Sequence, residues 1–182
     1  MRLLLRLVLL LPFLLLAGAA PADDAQRSEL NRLFAELANA PNAAAAQEID
    51  DRIWEIWITP TDSAAAAAMT DLLQAQSAGD MAQALHLADR LTESHPDYAE
   101  GWNQRATIRY LIGDLDGSLA DIKKVLEREP RHFGALAGRV LIHLDQGRRS
   151  LALLEMVQAL KVHPFLAEKS LFPELGAGGR QI

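Results

Sequence analysis

Apolar residues along this chain return at three- and four-residue intervals, in stretches separated by glycine or proline. Leu30, Leu33, Phe34 and Leu37 form an i, i+3, i+4, i+7 stripe. Ile49, Ile53, Ile56 and Trp57 form a second, with Trp54 beside it and Ala40-Pro41-Asn42 as the turn between them. Leu115, Leu119, Ile122 and Leu126 make a third, while Leu151, Leu154 and Leu160 sit on or near a fourth with Met156. Spacing of this kind predicts helices that each bury one face, and no alternating strand pattern is present.

The helices recur with a fixed period. Gly79, Gly113 and Gly147 step by 34 residues, as do Pro96, Pro130 and Pro164. The positions between them keep register: Ala84, Ser118 and Ala152 form a small column, Ala88, Ile122 and Met156 another, and Leu91, Val125 and Ala159 a third. Each unit therefore reads as helix, turn, helix, stop. Glycine supplies the left-handed conformation that ends the first helix. Asp80 and Asp114 follow two of these glycines, placed to cap the second helix. Proline then stops that helix, because it lacks an amide proton and disfavours helical geometry in the residue before it. His95 and His163 precede two of the prolines, where a cationic imidazole would complement the negative helix end. A single helix pair cannot bury its stripe alone, so stacked neighbours share one core.

A period of 34 with this layout resembles the tetratricopeptide repeat (TPR). Ala99-Glu100-Gly101-Trp102 opens the middle copy, followed by Ala106, Gly113-Asp114, Ser118 and Pro130. Trp102 stands at the family's tryptophan position and Ala106 at its usual glycine. The other copies place Ala68 and Leu136 at the first of these positions, and Leu72 and Val140 at the second. The resemblance covers 102 of the 182 residues. It implies an all-α, right-handed TPR-like helical solenoid of three helix–turn–helix repeats (65–98, 99–132 and 133–166). The stripes at 23–62 are expected to form an N-terminal helical hairpin cap. The tail, 167–182, is expected to supply a short closing helix from about Phe165 to Leu171.

The resemblance also implies a concave groove, lined by the first helix of each repeat. Carried onto this sequence, the family's groove positions place Met69 and Leu73 in the first copy. They place Asn103, Thr107, Tyr110 and Leu111, beside Glu100, in the second, and Ala137, Leu141 and Leu144, beside Gly134 and Asp145, in the third. An amphipathic helix or extended peptide would bury against this mostly apolar surface, so a protein or peptide partner is expected. The cationic clamp by which some family members grip a peptide carboxylate is absent. Met69, Leu73, Gln104, Gly134 and Gly138 occupy its positions. The competing reading is that the tail or the hairpin fills the groove.

Composition narrows the functional classes. Arg2 and Arg6, the apolar run Leu7–Leu16 and the small residues up to Ala22 have the order of a secretory signal peptide over 1–22. Export to the periplasm is expected; an uncleaved inner-membrane anchor is the alternative, although Leu7–Ala22 is short of the roughly 20 residues a span needs. Without that segment the chain carries 16 basic and 24 acidic residues, a net charge of −8. Nucleic acid is therefore not an expected partner, and no membrane span is expected after cleavage.

Cysteine is absent, which removes disulfides and thiolate chemistry. None of the five histidines pairs with another at i, i+4, so no metal site or cofactor is expected. Ser63, Ser77, Ser118 and Ser150 fall at caps, turns or packed helix positions, and Gly176–Arg180 lacks a phosphate-loop context. No catalytic residue is expected. Glu48, Asp50, Asp51 and Glu55 form an acidic helix face that reads as solvated, with Trp54 and Trp57 turned inward. The expected function is a TPR scaffold or adaptor. The alternative is a structural subunit of an envelope assembly bound through convex or end surfaces.

Overall fold

The three period-marking glycines adopt the left-handed conformation, with φ of +76° at Gly79, +84° at Gly113 and +70° at Gly147. In the computed structural model, which describes residues 21–176, each ends a helix in the same way. The Gly113 amide donates to the Tyr110 carbonyl (3.0 Å) and the Asp114 amide to the Arg109 carbonyl (2.8 Å). This paired return satisfies two carbonyls that the helix end would otherwise strand. The Asp114 side chain then accepts from the Gly117 amide (3.0 Å), and Asp80 accepts likewise from Gln83 (2.9 Å). Arg148, in the third copy, caps nothing with its side chain.

Eight α-helices result among the described residues, with no strand: α1 (Pro21–Ala38), α2 (Ala43–Ile58), α3 (Ser63–Ser77), α4 (Met81–Ser94), α5 (Ala99–Leu111), α6 (Leu115–Arg128), α7 (Phe133–Asp145) and α8 (Arg149–Val162). Helices α3/α4, α5/α6 and α7/α8 are the repeat pairs. All three of their sequence columns are buried: Ala84, Ala152, Ala88 and Met156 carry essentially no exposed surface, and Ser118 is as deep. Small residues at the first column let the two helices of a pair approach closely. Ser118 keeps its hydroxyl satisfied there by donating to the Ala106 carbonyl at 2.8 Å. Each fully buried Ile, Leu or Val in the other columns contributes roughly 1.5–3 kcal/mol.

The expected stripe of α8 is corrected by the structure. Its buried face is Ala152, Met156 and Ala159, whereas Leu151 and Leu154 are exposed, Leu154 by 64%. A charged network ties α4, α5 and α6 together. The Arg105 guanidinium donates to both oxygens of buried Asp121 (2.7 and 2.9 Å) and to Asp89 (2.9 Å), and Arg109 also reaches Asp121 (2.8 Å).

Helices α1 and α2 form a hairpin whose apolar face is buried on the third repeat. Leu33, Phe34, Leu37, Ile53 and Trp57 share one core with Phe133, Leu136 and Val140 of α7 and with Ala152, Met156 and Ala159 of α8. The Trp54 ring lies against the Gly134 backbone so closely that a Cβ there would sit 2.8 Å from it. Arg131 fastens the other side, donating to Asn31 (2.9 Å) and lying over the Phe34 ring. The hairpin thus reaches across the solenoid to close it, instead of adding one more stacked unit.

The chain after α8 forms two 3₁₀ turns, Ala167–Leu171 and Pro173–Leu175, where an α-helix from Phe165 was expected. Its amides bond three residues back, Lys169 to the Leu166 carbonyl (3.1 Å) and Phe172 to the Lys169 carbonyl (3.0 Å), the tighter winding of a 3₁₀ turn. Phe172 anchors the turns in the same core as the hairpin. Arg149 lies over its ring and donates to the Leu171 carbonyl and to Glu174.

Candidate partner-binding groove

The starts of α5 and α7 are joined by a buried polar cluster. Glu100 is 1% exposed and His132 0%. The His132 Nδ1 accepts from the Ala135 amide (3.2 Å), capping α7, so its ring proton resides on Nε2. That nitrogen donates to Glu100 Oε2 at 2.8 Å. Asn103 Nδ2 and Gln104 Nε2 donate to the same carboxylate (3.1 and 2.5 Å). The imidazole also stacks on the Trp57 ring, with centroids 3.9 Å apart and planes within 8°. The cluster fixes the spacing of α5 and α7 and locks the hairpin onto both.

Beyond this cluster a groove of about 320 Å³ lies between α5 and α7. Asn103, Thr107, Tyr110 and Leu111 line one wall, Ala137 and Leu141 the other, and Ile122 of α6 the floor. Thr107 is exposed and Leu111 is 61% exposed. Tyr110 is held across the groove end by donating to Asp145 Oδ2 at 2.7 Å, and this bond holds its phenol above the ordinary titration range. Glu168 of the first 3₁₀ turn reaches the groove edge.

Six of the sequence-predicted groove residues are therefore brought together. Three are not. Met69 is buried in the separate core of α3 and α4, with Leu73 packed against it, and Leu144 packs on the core shared by the hairpin and third repeat. Trp54 of α2 lies against α7 at Gly134, and a second hollow between α2, α7 and the tail is lined by Trp54, Ala137, Ala167 and Glu168.

The same meeting place holds Asp50 of α2 and His163 at the end of α8. Their nearest atoms are 3.8 Å apart, too far for a hydrogen bond, and Asp50 Oδ1 has no partner. Burial, reinforced by Asp51 and Glu168, pushes the Asp50 carboxyl up to about 6. Burial likewise lowers His163, whose Nδ1 accepts from the Phe165 amide (3.2 Å). The cationic imidazole expected at this helix end is thus replaced by a neutral ring that caps the following turn.

Glu100 and His132 carry the site's architecture, and sequence reading singled out neither for this role. The signal was present only as an acid and a histidine 32 residues apart, each at the start of a first helix.

The comparisons with known proteins agree with this architecture. No family model matches the chain. It is 33% identical over 146 residues to a TPR repeat-containing protein of Rhizobium etli, an alignment covering 79% of this chain and 70% of that one. A mutant of MamA superposes with a TM-score of 0.50 at 14% identity, over 75% of this chain and 96% of its own. MamA AMB-1 does so with a TM-score of 0.50 at 13% identity, over 77% and 99%. At such identities the likeness speaks for the fold, a TPR-like helical solenoid. The chain belongs to the TPR repeat-containing proteins. Its repeats form a scaffold of the kind that engages other proteins. Among the described residues no helix is long and apolar enough to cross a membrane.

Proposed function

We propose that this protein is an exported interaction module that holds a segment of a partner protein in the groove between α5 and α7. The observation that carries the reading is the pairing of exposed Leu111 with Thr107, Tyr110 and Leu141 around one open cleft. Apolar side chains left exposed beside hydrogen-bonding groups suit an amphipathic segment, which buries its own apolar side chains and orients by its polar ones. The work of the protein is binding, not catalysis. The division into hairpin (23–62), repeats (65–166) and tail (167–182) belongs to the same reading.

Export rests on the sequence order of Arg2, Arg6 and the apolar run Leu7–Leu16, which lie outside the described residues, and of the small residues that follow up to Ala22. Producing the full chain in a Gram-negative host and mapping the N-terminus of its periplasmic form tests it. A mature chain starting near Asp23 is expected, and a full-length chain retained in the cytoplasm contradicts it.

The groove is tested with Leu111→Asp and Leu141→Asp. Each is expected to weaken partner binding by about tenfold or more while helicity is retained, since a charge replaces one buried leucine-sized contact. Unchanged binding contradicts the groove.

One observation favours a second reading, a structural subunit of an envelope assembly. Leu151, Leu154 and Val157 are exposed together on α8, at the end of the solenoid. Loss of assembly in Leu154→Lys, with Leu111→Asp unaffected, is the result that would select it.

A further inference from the structure

The hollow between α2, α7 and the tail has a volume of about 260 Å³ and shares Gly134, Ala137 and Glu168 with the α5–α7 groove. It is smaller than the roughly 300–1,000 Å³ of small-molecule pockets, a size that suits one side chain. Trp54, Phe133, Phe165 and Leu166 give it apolar walls. The Trp54 and Phe133 rings meet edge to face, with centroids 5.6 Å apart.

Two polar atoms at this hollow are buried without partners among the described residues. Asp50 Oδ1 carries essentially no exposed surface and accepts no hydrogen bond. His163 is 5% exposed. Its Nδ1 accepts from the Phe165 amide, so the ring proton resides on Nε2, and that nitrogen has no acceptor within hydrogen-bond distance. The imidazole is held edge-on to Phe133, with centroids 5.1 Å apart, which fixes the direction in which Nε2 points. An unmatched donor and an unmatched acceptor therefore stand 3.8 Å apart, beyond reach of each other. Buried polar groups in folded proteins are paired, and here the pairing is left to a group that enters the hollow.

The chemistry of that group follows from the two atoms. A carboxylate would meet Asp50 and Glu168, and a cation would leave the His163 N–H unmatched. Among the described residues no three histidines or acids are placed to hold a metal ion. A peptide bond is trans and shows its N–H and C=O on opposite edges. A primary carboxamide shows both on one edge, with oxygen and nitrogen roughly 2.2 Å apart.

We propose that this hollow receives the side-chain carboxamide of a glutamine or asparagine from the partner segment. Its oxygen accepts from His163 Nε2, its nitrogen donates to Asp50 Oδ1, and the aromatic walls take its flat faces. Because hollow and groove share lining residues, one segment can reach both. The inference rests on the reading of this chain as an interaction module, but the hollow is tested without the groove.

The mature protein is titrated with acetyl-glutamine-methylamide and with the glutamate and methionine analogues, followed by NMR. A pH of about 8 keeps Asp50, raised to about 6, ionised. The glutamine probe is expected to shift the Trp54 indole N–H and the amides of 163–168 saturably, and to bind about tenfold more tightly than either analogue. Asp50→Ala is expected to weaken it about fivefold or more and to erase its advantage over methionine, with the circular dichroism unchanged. Leu111→Asp is expected to leave it unaltered; if that variant also captures the partner normally, the hollow stands and the groove reading falls. Equal binding of the glutamine and methionine probes, no saturable binding, or undiminished binding to Asp50→Ala overturns the proposal. Shifts confined to 103–111 overturn it as well, while leaving the groove reading intact.

Discussion

His132 donates from Nε2 to Glu100 across 2.8 Å, with both side chains buried at the starts of α7 and α5. Because Nδ1 is engaged in capping α7, the imidazole cannot rotate to another partner without releasing the cap. One residue therefore secures the helix start, the distance between α5 and α7 and, through Trp57, the hairpin. His132→Ala is expected to cost about 3–5 kcal/mol, because it takes one of three donors from a buried carboxylate, uncaps α7 and opens a cavity beside Trp57. Glu100→Gln keeps the shape and removes the charge, and is expected to cost about 1–2 kcal/mol. Urea denaturation of both variants checks the order; a larger loss for Glu100→Gln contradicts it.

Gly113 has φ of +84°, and a Cβ added there would meet nothing within 4 Å. Any penalty is therefore conformational and not steric against neighbours. Gly113→Val is expected to lower stability by about 1–3 kcal/mol, since a β-branched residue is strained in this region. Gly113→Asn tolerates it better and is expected to lose less than half as much. Thermal melts of the pair check this, and equal melting temperatures for the Val and Asn variants would contradict it.

Asp50 and His163 give stability opposite dependences on pH. The native Asp50 carboxyl titrates near 6 against an ordinary value near 3.8, so the folded state holds that proton more tightly. Its contribution is complete below pH 4 and is lost as pH rises through about 6. His163 is lowered from 6.5, so its contribution is complete above 6.5 and is lost as pH falls below that value. Asp50→Asn removes only the first effect. Relative to the wild type it is expected to gain stability as pH rises from 4 to 7, by about 1–2 kcal/mol after solvent screening. A difference independent of pH contradicts this account of Asp50.

The turns and the repeat cores were legible in the sequence because each depends on residues that have few substitutes. Only glycine takes positive φ without strain, so Gly79, Gly113 and Gly147 marked the turns. The small column Ala84, Ser118 and Ala152 marked where paired helices touch. Periodicity alone failed on α8, where Leu151, Leu153, Leu154, Val157 and Leu160 surround the helix with apolar groups, and leucine was read as core in place of alanine. The repeat register contained the answer, since Ala152, Met156 and Ala159 fall in the buried columns of the other copies.

The destination of the hairpin was not legible. A stripe such as Leu30, Leu33, Phe34 and Leu37 states that a face is buried, not which helices cover it, and its partners on α7 and α8 lie about a hundred residues on. The groove shows the same division. Asn103, Thr107, Tyr110, Leu111, Ala137 and Leu141 meet because they lie on neighbouring first helices. Leu144 shares their register, yet the core beneath it draws it in.

Site-specific photo-crosslinking tests the central proposal most directly. A benzoylphenylalanine is placed at Leu111 or Thr107 in the groove, or at exposed Lys123 on α6, in cells exporting the protein. Partner adducts from Leu111 and Thr107 that disappear with Leu141→Asp, and none from Lys123, are the expected result. Adducts from Lys123 alone, or groove adducts that persist in Leu141→Asp, would contradict a partner segment held between α5 and α7.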